Sequence, residues 1–321
     1  MSGSQTLRVQ VTAAERLTPL IKHFTLARAD GAALPAFSGG SHVVVVMRGA
    51  DGRTHRNPYS LLSSPRELGT YEIAVRRMEE SRGGSRFMHD TLAVGDTLEI
   101  AHPVNLFALE KRGRNHVLIA GGIGITPFLA QLEDLADAGV RHELHYSVRA
   151  PEHAAFLERL RGRLGERLRV YYDSAGDAID YESLLARQPL GTHVYVCGPA
   201  GMIERVNATA TDCGWPKSHV HWEQFSAPPV GAAFQVFLAR AGLAVDVQPD
   251  HSLLEAIEAA GVEVPYLCRG GVCGFCRTRV LELDGELLHH DHYLSDAEKS
   301  GGKSLMPCVS RARCSRLVLD L

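Results

Sequence analysis

Cys268-Arg269-Gly270-Gly271-Val272-Cys273-Gly274-Phe275-Cys276, with Cys308 beyond 31 intervening residues, carries the spacing C-x4-C-x2-C…C. That is the ligand spacing of a plant-type 2Fe–2S cluster. Iron in such a cluster needs thiolates from a loop that wraps it closely. Gly270, Gly271 and Gly274 suit that loop, because glycine takes strained backbone angles and lets amides approach the sulfurs. Structural zinc usually shows two C-x2-C-like pairs, and only one exists here. Cys268, Cys273, Cys276 and Cys308 are therefore the expected metal ligands. A cluster of this kind carries one electron at a time, so something upstream must supply electrons.

The rest of the composition bounds the setting. A chain of 321 residues is long enough for two or three domains, and 45% hydrophobic with 22% charged residues is the balance of a soluble globular protein. The first residues lack the apolar core of a signal peptide, and the longest aliphatic run, Val43 to Met47, is too short to span a bilayer. Cys197, Cys213 and Cys314 remain outside the cluster set, an odd number that argues against a disulfide framework. These features lead us to expect a cytoplasmic protein. The net charge of −3 suggests neither a nucleic-acid nor a membrane partner. Residues 233–321 hold 9 Lys/Arg and 12 Asp/Glu, so the whole acidic excess lies with the cysteines. An acidic electron carrier can steer onto a basic partner, although an ordinary solvated surface explains the excess equally well.

Upstream, Ser226-Ala-Pro-Pro-Val-Gly-Ala232 reads as a linker. Short β-like runs at Leu7–Val11, His42–Met47, Tyr71–Arg76 and Thr97–Ile100, punctuated by turn residues, predict a β-barrel or sandwich for the first hundred residues. From about residue 115 strand-like and helix-like segments alternate, including a helix over Glu152–Leu164, which predicts a parallel sheet with βαβ crossovers. In the last part, Ser252 with Glu255 three residues on predicts a capping box.

Two glycine-rich turns point to a dinucleotide. Gly121-Gly122-Ile123-Gly124-Ile125-Thr126-Pro127 follows a buried-type strand and opens a helix, and Cys197-Gly198-Pro199 does the same further on. Glycines at such turns let amides reach a pyrophosphate, in the crevice at the ends of adjacent parallel strands. Cys197 stands where it could touch a nicotinamide ring or serve as a small buried hydrophobe. Earlier, Arg56-Asn57-Pro58-Tyr59-Ser60-Leu61 offers an aromatic ring, a hydroxyl and backbone polar groups for a planar isoalloxazine. Arg82-Gly83-Gly84-Ser85-Arg86, before a helix-like Phe87–Leu92, offers a phosphate site.

These five motifs in this order resemble the phthalate dioxygenase reductase family over nearly the whole chain; vanillate demethylase and phenoxybenzoate dioxygenase reductases are similar. The resemblance implies a six-stranded antiparallel FMN barrel (1–108), an α/β NAD domain (109–225), a linker (226–232) and a β-grasp-like ferredoxin domain (233–321). It assigns Tyr59, Ser60 and Leu61 to the flavin motif and Ala74, Val75 and Arg76 to a strand lining the ring. Gly83, Gly84 and Ser85 fall at the FMN phosphate. Thr126 falls near the flavin, and Phe225 is the aromatic residue that covers it. Thr126, Cys197 and Phe225 are the expected catalytic positions. Gly121, Gly122, Gly124, Gly198 and Pro199 are expected at the dinucleotide.

One departure stands out. The family pattern R-x-Y-S puts arginine at position 57, where this chain has Asn57, with Arg56 one residue earlier. A bulge at Pro58 would let Arg56 reach the flavin phosphate; otherwise Arg76, Arg77 or Arg86 does that work. Ser147, Arg149 and Asp173, with a single arginine and nearby acids, favour NADH over NADPH. By resemblance, hydride passes from NADH to FMN. Single electrons then pass through the cluster to a separate Rieske non-haem iron oxygenase acting on an aromatic acid, and the reductase itself is a monomer. Two alternatives stay open: an FAD-dependent reductase feeding a haem or diiron oxygenase, and a redox sensor without NADH turnover. His289, His290 and His292 could in principle hold a metal, but their spacing suits no helical pair and a solvated loop is expected.

Overall fold

The structure is a computed structural model and describes residues 6–49, 52–79, 81–225 and 229–321. Residues 226–228, which begin the expected linker, lie outside the described set. Contacts divide the chain into one unit ending at Phe225 and a second that carries the cysteine-rich part.

The first unit opens with strands β1 (Leu7–Arg16), β2 (Ile21–Ala27), β3 (Ser41–Arg48), β4 (Thr54–Ser60) and β5 (Tyr71–Arg76). A short helix α1 (Gly84–Arg86) runs into a π-helical turn, Phe87–Thr91, and β6 (Thr97–Ile100) and β7 (Val104–Asn105) follow. The order β4-β3-β6-β1-β2-β5 is that of a nearly closed six-stranded antiparallel barrel, with β7 added beside β3. Alternating side chains explain its core: Val43, Val45 and Met47 of β3 meet Val9 and Val11 of β1 and Ile73 and Val75 of β5 inside.

The same unit continues into a parallel sheet of β8 (Asn115–Gly121), β9 (Arg141–Val148), β10 (Leu168–Tyr172), β11 (Thr192–Cys197) and β12 (Val220–Glu223). Helices α2 (Thr126–Asp137), α3 (Leu157–Leu164), α4 (Tyr181–Ala186) and α5 (Ala200–Asp212) connect it. The order β10-β9-β8-β11-β12 reverses direction between β8 and β11. Both strands are buried almost throughout, as strands covered by helices on two faces must be. Ile21, Leu62, Ala74 and Phe107 of the barrel share one core with Leu118, Ile125 and Phe128 of the sheet. Arg159 bonds Glu72 across that junction at 3.2 Å, and the Gly39 N–H donates to Asp134 at 2.7 Å.

The single helix expected over Glu152–Leu164 is broken. A 3-10 turn covers Pro151–His153, and Phe156 takes a left-handed φ of 61° before α3 begins. Its ring meets His23 of β2 edge-on at 5.6 Å. The break turns a helical stripe into a contact with the barrel, at the cost of about 1 kcal/mol of backbone strain.

A row of imidazoles crosses the other end of the sheet. His142 of β9, His116 of β8 and His193 of β11 pair directly in register. His219 stacks on His193 at 4.1 Å, and His221 stacks on Tyr195 at 4.4 Å. Burial, first among the causes, pushes His116 and His221 down to about 4. Their folded values lie below the unfolded value of about 6.5, so their contribution is complete above that pH and is lost as pH falls from about 6.5 towards 4. Discounted for partial solvation, protonating His116 costs on the order of 2 kcal/mol. Thermal melts between pH 7.5 and 4.5 are expected to show a steep fall in Tm below pH 6.5. His116→Gln, neutral throughout, is expected to flatten it; equal slopes in both proteins would contradict this assignment.

The second unit contains β13 (Phe234–Leu238), β14 (Leu243–Val247), α6 (Leu253–Ala259), β15 (Thr278–Leu288), α7 (Asp296–Ser300), β16 (Ser304–Leu305) and β17 (Arg311–Leu319). Its sheet order is β14-β13-β17-β15-β16, with β13 and β17 parallel, and α6 packs over it through Leu253, Leu254 and Ile257. The capping box is present: Ser252 Oγ accepts from the Glu255 N–H, and the Glu255 carboxylate accepts from the Ser252 N–H.

Candidate functional site

The two glycine turns interlock at the point where the sheet reverses. Gly121 ends β8, Gly122 to Ile125 form a 3-10 turn, and α2 starts at Thr126 with Pro127 behind it. A Cβ on Gly124 would overlap the Cys197 carbonyl oxygen, and one on Gly121 would stand 2.6 Å from Pro199 Cδ. Gly198 lies against Gly121 in turn. Only bare Cα atoms let these turns close on each other at the ends of β8 and β11, the place where sheets of this strand order bind a ligand. Thr126 is buried and its hydroxyl donates to the Ile123 carbonyl at 3.0 Å, which locks the turn. Register carries further residues to the same edge: Ser147 pairs with Gly121, Cys197 with Ala120, and Glu223 with Cys197. Asp173 opens a short turn after β10, where the Ser174 N–H donates to the Arg149 carbonyl at 2.8 Å. Two residues past Glu223, Phe225 is 46% exposed.

Cys197 is fully buried, and burial first, then the Glu223 charge, push its thiol well above the ordinary value. A thiol raised in this way stays protonated near neutral pH. Glu223, and Met202, whose sulfur faces Gly121 and Gly198, lie at the same edge.

On the barrel, β3 and β4 pair without a register shift from His42↔Ser60 to Arg48↔Thr54, so Pro58 makes no bulge. Alternation then gives His55, Asn57 and Tyr59 one face of β4 and Arg56, Pro58 and Ser60 the other. Asn57 Nδ2 donates to Tyr59 Oη at 3.2 Å, and burial pushes that phenol up to about 12, against the smaller opposing effect of Asn57. Gly83, at φ 128°, and Gly84 lie against this face: Cβ atoms there would overlap His55 Nε2 and Asn57 Nδ2. Ser85 Oγ accepts from the Met78 N–H at 3.2 Å. Two arginines near the turn are engaged, Arg77 with Asp90 at 3.0 Å and Arg86 with the Ser81 carbonyl at 2.9 Å. On β5, Ala74 packs into the sheet's core and Val75 into the barrel's, so the main chain and Arg76 are what that segment offers a ligand. Leu61 is buried in the barrel. The Ser60 hydroxyl is buried without a partner. That orphan and the bare turn at Gly83-Gly84 fit a flavin.

In the second unit, Cys268, Cys276 and Cys308 are buried and Cys273 is half-exposed. Cys276 Sγ stands 3.4 Å from Cys308 Sγ, and the Gly270 N–H donates to Cys268 Sγ at 3.3 Å. Contacts with Cys273 and Cys308, with amide donors behind them, drive the Cys268 thiol far down. All seven cysteines are free of disulfides. The four thiols are linked in a chain, Cys273 to Cys268, Cys268 to Cys308 and Cys308 to Cys276, an arrangement that fits a two-iron cluster. The loop is held from outside. Gly271 (φ 75°) packs on Val309 and Asp291, and Gly274 (φ 73°) packs under Tyr293, where a Cβ would overlap the ring. Arg269, itself at φ 50°, is buried beneath the loop with both guanidinium arms on Glu258, at 2.8 and 2.7 Å. Asp291 is likewise structural, accepting from the Leu294 N–H at 2.8 Å.

The barrel, the parallel sheet with its paired turns, and the cysteine loop define a flavin and iron–sulfur oxidoreductase. Three family models match successive segments: an oxidoreductase FAD-binding domain over residues 8–108, the N-terminal domain of dimethylamine monooxygenase subunit DmmA-like proteins over 102–220, and a 2Fe–2S iron–sulfur cluster binding domain over 236–313. The carnitine monooxygenase reductase subunit of Acinetobacter baumannii is 48% identical over 97% of this chain and 96% of its own. The heme-dependent oxidative N-demethylase beta subunit of Ectopseudomonas mendocina is 48% identical over 99% and 100%. The solved structure of phthalate dioxygenase reductase superposes with a TM-score of 0.87 at 36% identity, covering 99% of this chain and 98% of that one. The chain belongs to the phthalate dioxygenase reductase-like family, whose members are reductase components of oxygenase systems with flavin and 2Fe–2S domains. No helix among the described residues is long and apolar enough to cross a membrane.

Proposed function

We propose that this protein takes electrons from NADH and delivers them singly to a separate terminal Rieske non-haem iron oxygenase. When bound, flavin supplies the change from a two-electron donor to one-electron steps, and the 2Fe–2S cluster supplies the outgoing electron. The observation that carries the reading is the interlocked Gly121–Gly124 and Cys197–Pro199 turns, in one continuous core with strand β5 of the barrel. Gly121, Gly122, Gly124, Gly198 and Pro199 shape the pyrophosphate crevice. Cys197, Glu223 and Thr126 would wall its reactive end, and Phe225 would supply an aromatic face to the flavin. Tyr59, Ser60, Leu61 and the main chain of Ala74–Arg76 orient the ring, and Gly83, Gly84 and Ser85 receive the phosphate. Ser147, Arg149 and Asp173 surround the adenosine ribose, where the Asp173 carboxylate disfavours a 2′-phosphate. FMN remains the proposed flavin. The domain limits proposed above, 1–108, 109–225, 226–232 and 233–321, are retained with this reading, as are a monomeric state and a cytoplasmic location.

The acceptor has a second reading. The N-demethylase relative is named for a haem-dependent enzyme and is as similar as the carnitine relative. A haem-containing oxygenase is therefore the rival partner. Both names favour an N-alkylated substrate over the aromatic acid expected from sequence. The test is an anaerobic NADH titration followed by absorbance and EPR, with the released flavin identified by chromatography, then reconstitution with a Rieske and a haem acceptor. Flavin bleaching with a reduced 2Fe–2S signal is expected, with faster turnover on the Rieske acceptor. A cluster left oxidised by NADH would sink the reading.

A further inference from the structure

We propose that Asn57 is the side chain by which β4 holds the phosphate end of the flavin, as a neutral donor where an arginine would bring charge. This deepens the reductase reading and rests on it. Unshifted pairing with β3 fixes Asn57 on the face of β4 that meets Gly83 and Gly84, and turns Arg56 to the opposite face. Of its two N–H groups, one donates to Tyr59 Oη at 3.2 Å, which leaves the other for a ligand. A Cβ on Gly84 would overlap that amide nitrogen, so the bare turn leaves Asn57 its place. Of the arginines around this turn, Arg77 and Arg86 are spent on Asp90 and the Ser81 carbonyl. Asn57 thus joins ring and tail: one N–H sets the phenol of Tyr59, the other meets a phosphate oxygen. A flavin phosphate is the shared chemistry, whether from the monophosphate of FMN or the pyrophosphate of FAD.

Asn57→Asp has the same shape but cannot donate, and it places a carboxylate against the phosphate. Flavin-free protein, with its cluster intact, would be titrated with FMN, FAD and riboflavin by fluorescence quenching. Asn57→Asp is expected to weaken the phosphorylated flavin about a hundredfold while riboflavin changes by less than about threefold, because riboflavin carries no phosphate. Asn57→Arg is expected to tighten the same flavin about tenfold and to add a salt dependence that the parent lacks. Whichever of FMN and FAD shows the larger change is the native source of the phosphate. Equal losses for riboflavin and FMN would overturn the proposal, leaving Asn57 as a support for Tyr59 alone; so would unchanged affinities in both variants. Should Asn57→Asp fold poorly, Asn57→Arg decides by itself through the riboflavin comparison. Failure of the parent protein to bind any of the three flavins would overturn the reductase reading first, and the proposal with it.

Discussion

Cys308→Ser is expected to abolish the 2Fe–2S absorbance and EPR signal and to cut electron delivery to a one-electron protein acceptor by more than about a hundredfold, since clusters of this type depend on four thiolates. Cys308 lies 1% exposed, on the segment that also presents Val309 to Gly271 of the cysteine loop. The Met306 carbonyl accepts from the Ser310 N–H at 2.8 Å, so the turn that holds Cys308 is preset by its own backbone. Serine keeps that turn but offers a harder, more weakly acidic ligand. NADH should still bleach the flavin, because the residues proposed to hold flavin and nicotinamide all belong to the unit ending at Phe225. Stopped-flow absorbance separates the two steps. A Cys308→Ser protein with a full cluster signal would move the fourth ligand elsewhere, and Cys314, half-exposed on β17, would be the next residue to replace.

Gly124→Ala is expected to be the most damaging single-methyl change in the nucleotide half. Its Cβ would overlap the Cys197 carbonyl oxygen and stand 2.5 Å from the carbonyl carbon. Both atoms are backbone at the end of a buried central strand, so neither can swing aside. Relief would require β8 and β11 to part where the dinucleotide is proposed to lie. A cost of about 3 kcal/mol is the upper end for such overpacking, enough for roughly a hundredfold loss in NADH affinity or rate if it falls on the crevice. Gly201→Ala is the control, since nothing lies within 4 Å of its added Cβ. It should leave NADH reduction unchanged and slightly raise Tm, as Gly to Ala does in an unstrained helix. Similar reduction rates for the two variants would mean that the turns do not form the nucleotide crevice.

The contrast between these glycines shows where the sequence was informative. Chemistry that depends on neighbours along the chain was legible: four cysteines at ligand spacing, glycines where strands turn into helices, and Ser252 with Glu255 as a helix cap. Each follows from local geometry, which a few adjacent residues fix. The broken helix at Phe156 was not legible, because the ring it contacts there, His23, lies more than a hundred residues earlier on the barrel. Nor could Arg56 be placed: a possible bulge at Pro58 left two answers open, and the unshifted pairing of β3 with β4 chose one. Asp291 and Tyr293 belong to no motif, and their positions are set by loop packing against Gly271 and Gly274. The sequence by itself determined which cofactor chemistry this chain can hold and the order of its parts, since ligand spacing and turn glycines are properties of short segments. Only the tertiary structure decided which side chains face one another, because a strand turns alternate residues to opposite faces and one residue of register reverses them all.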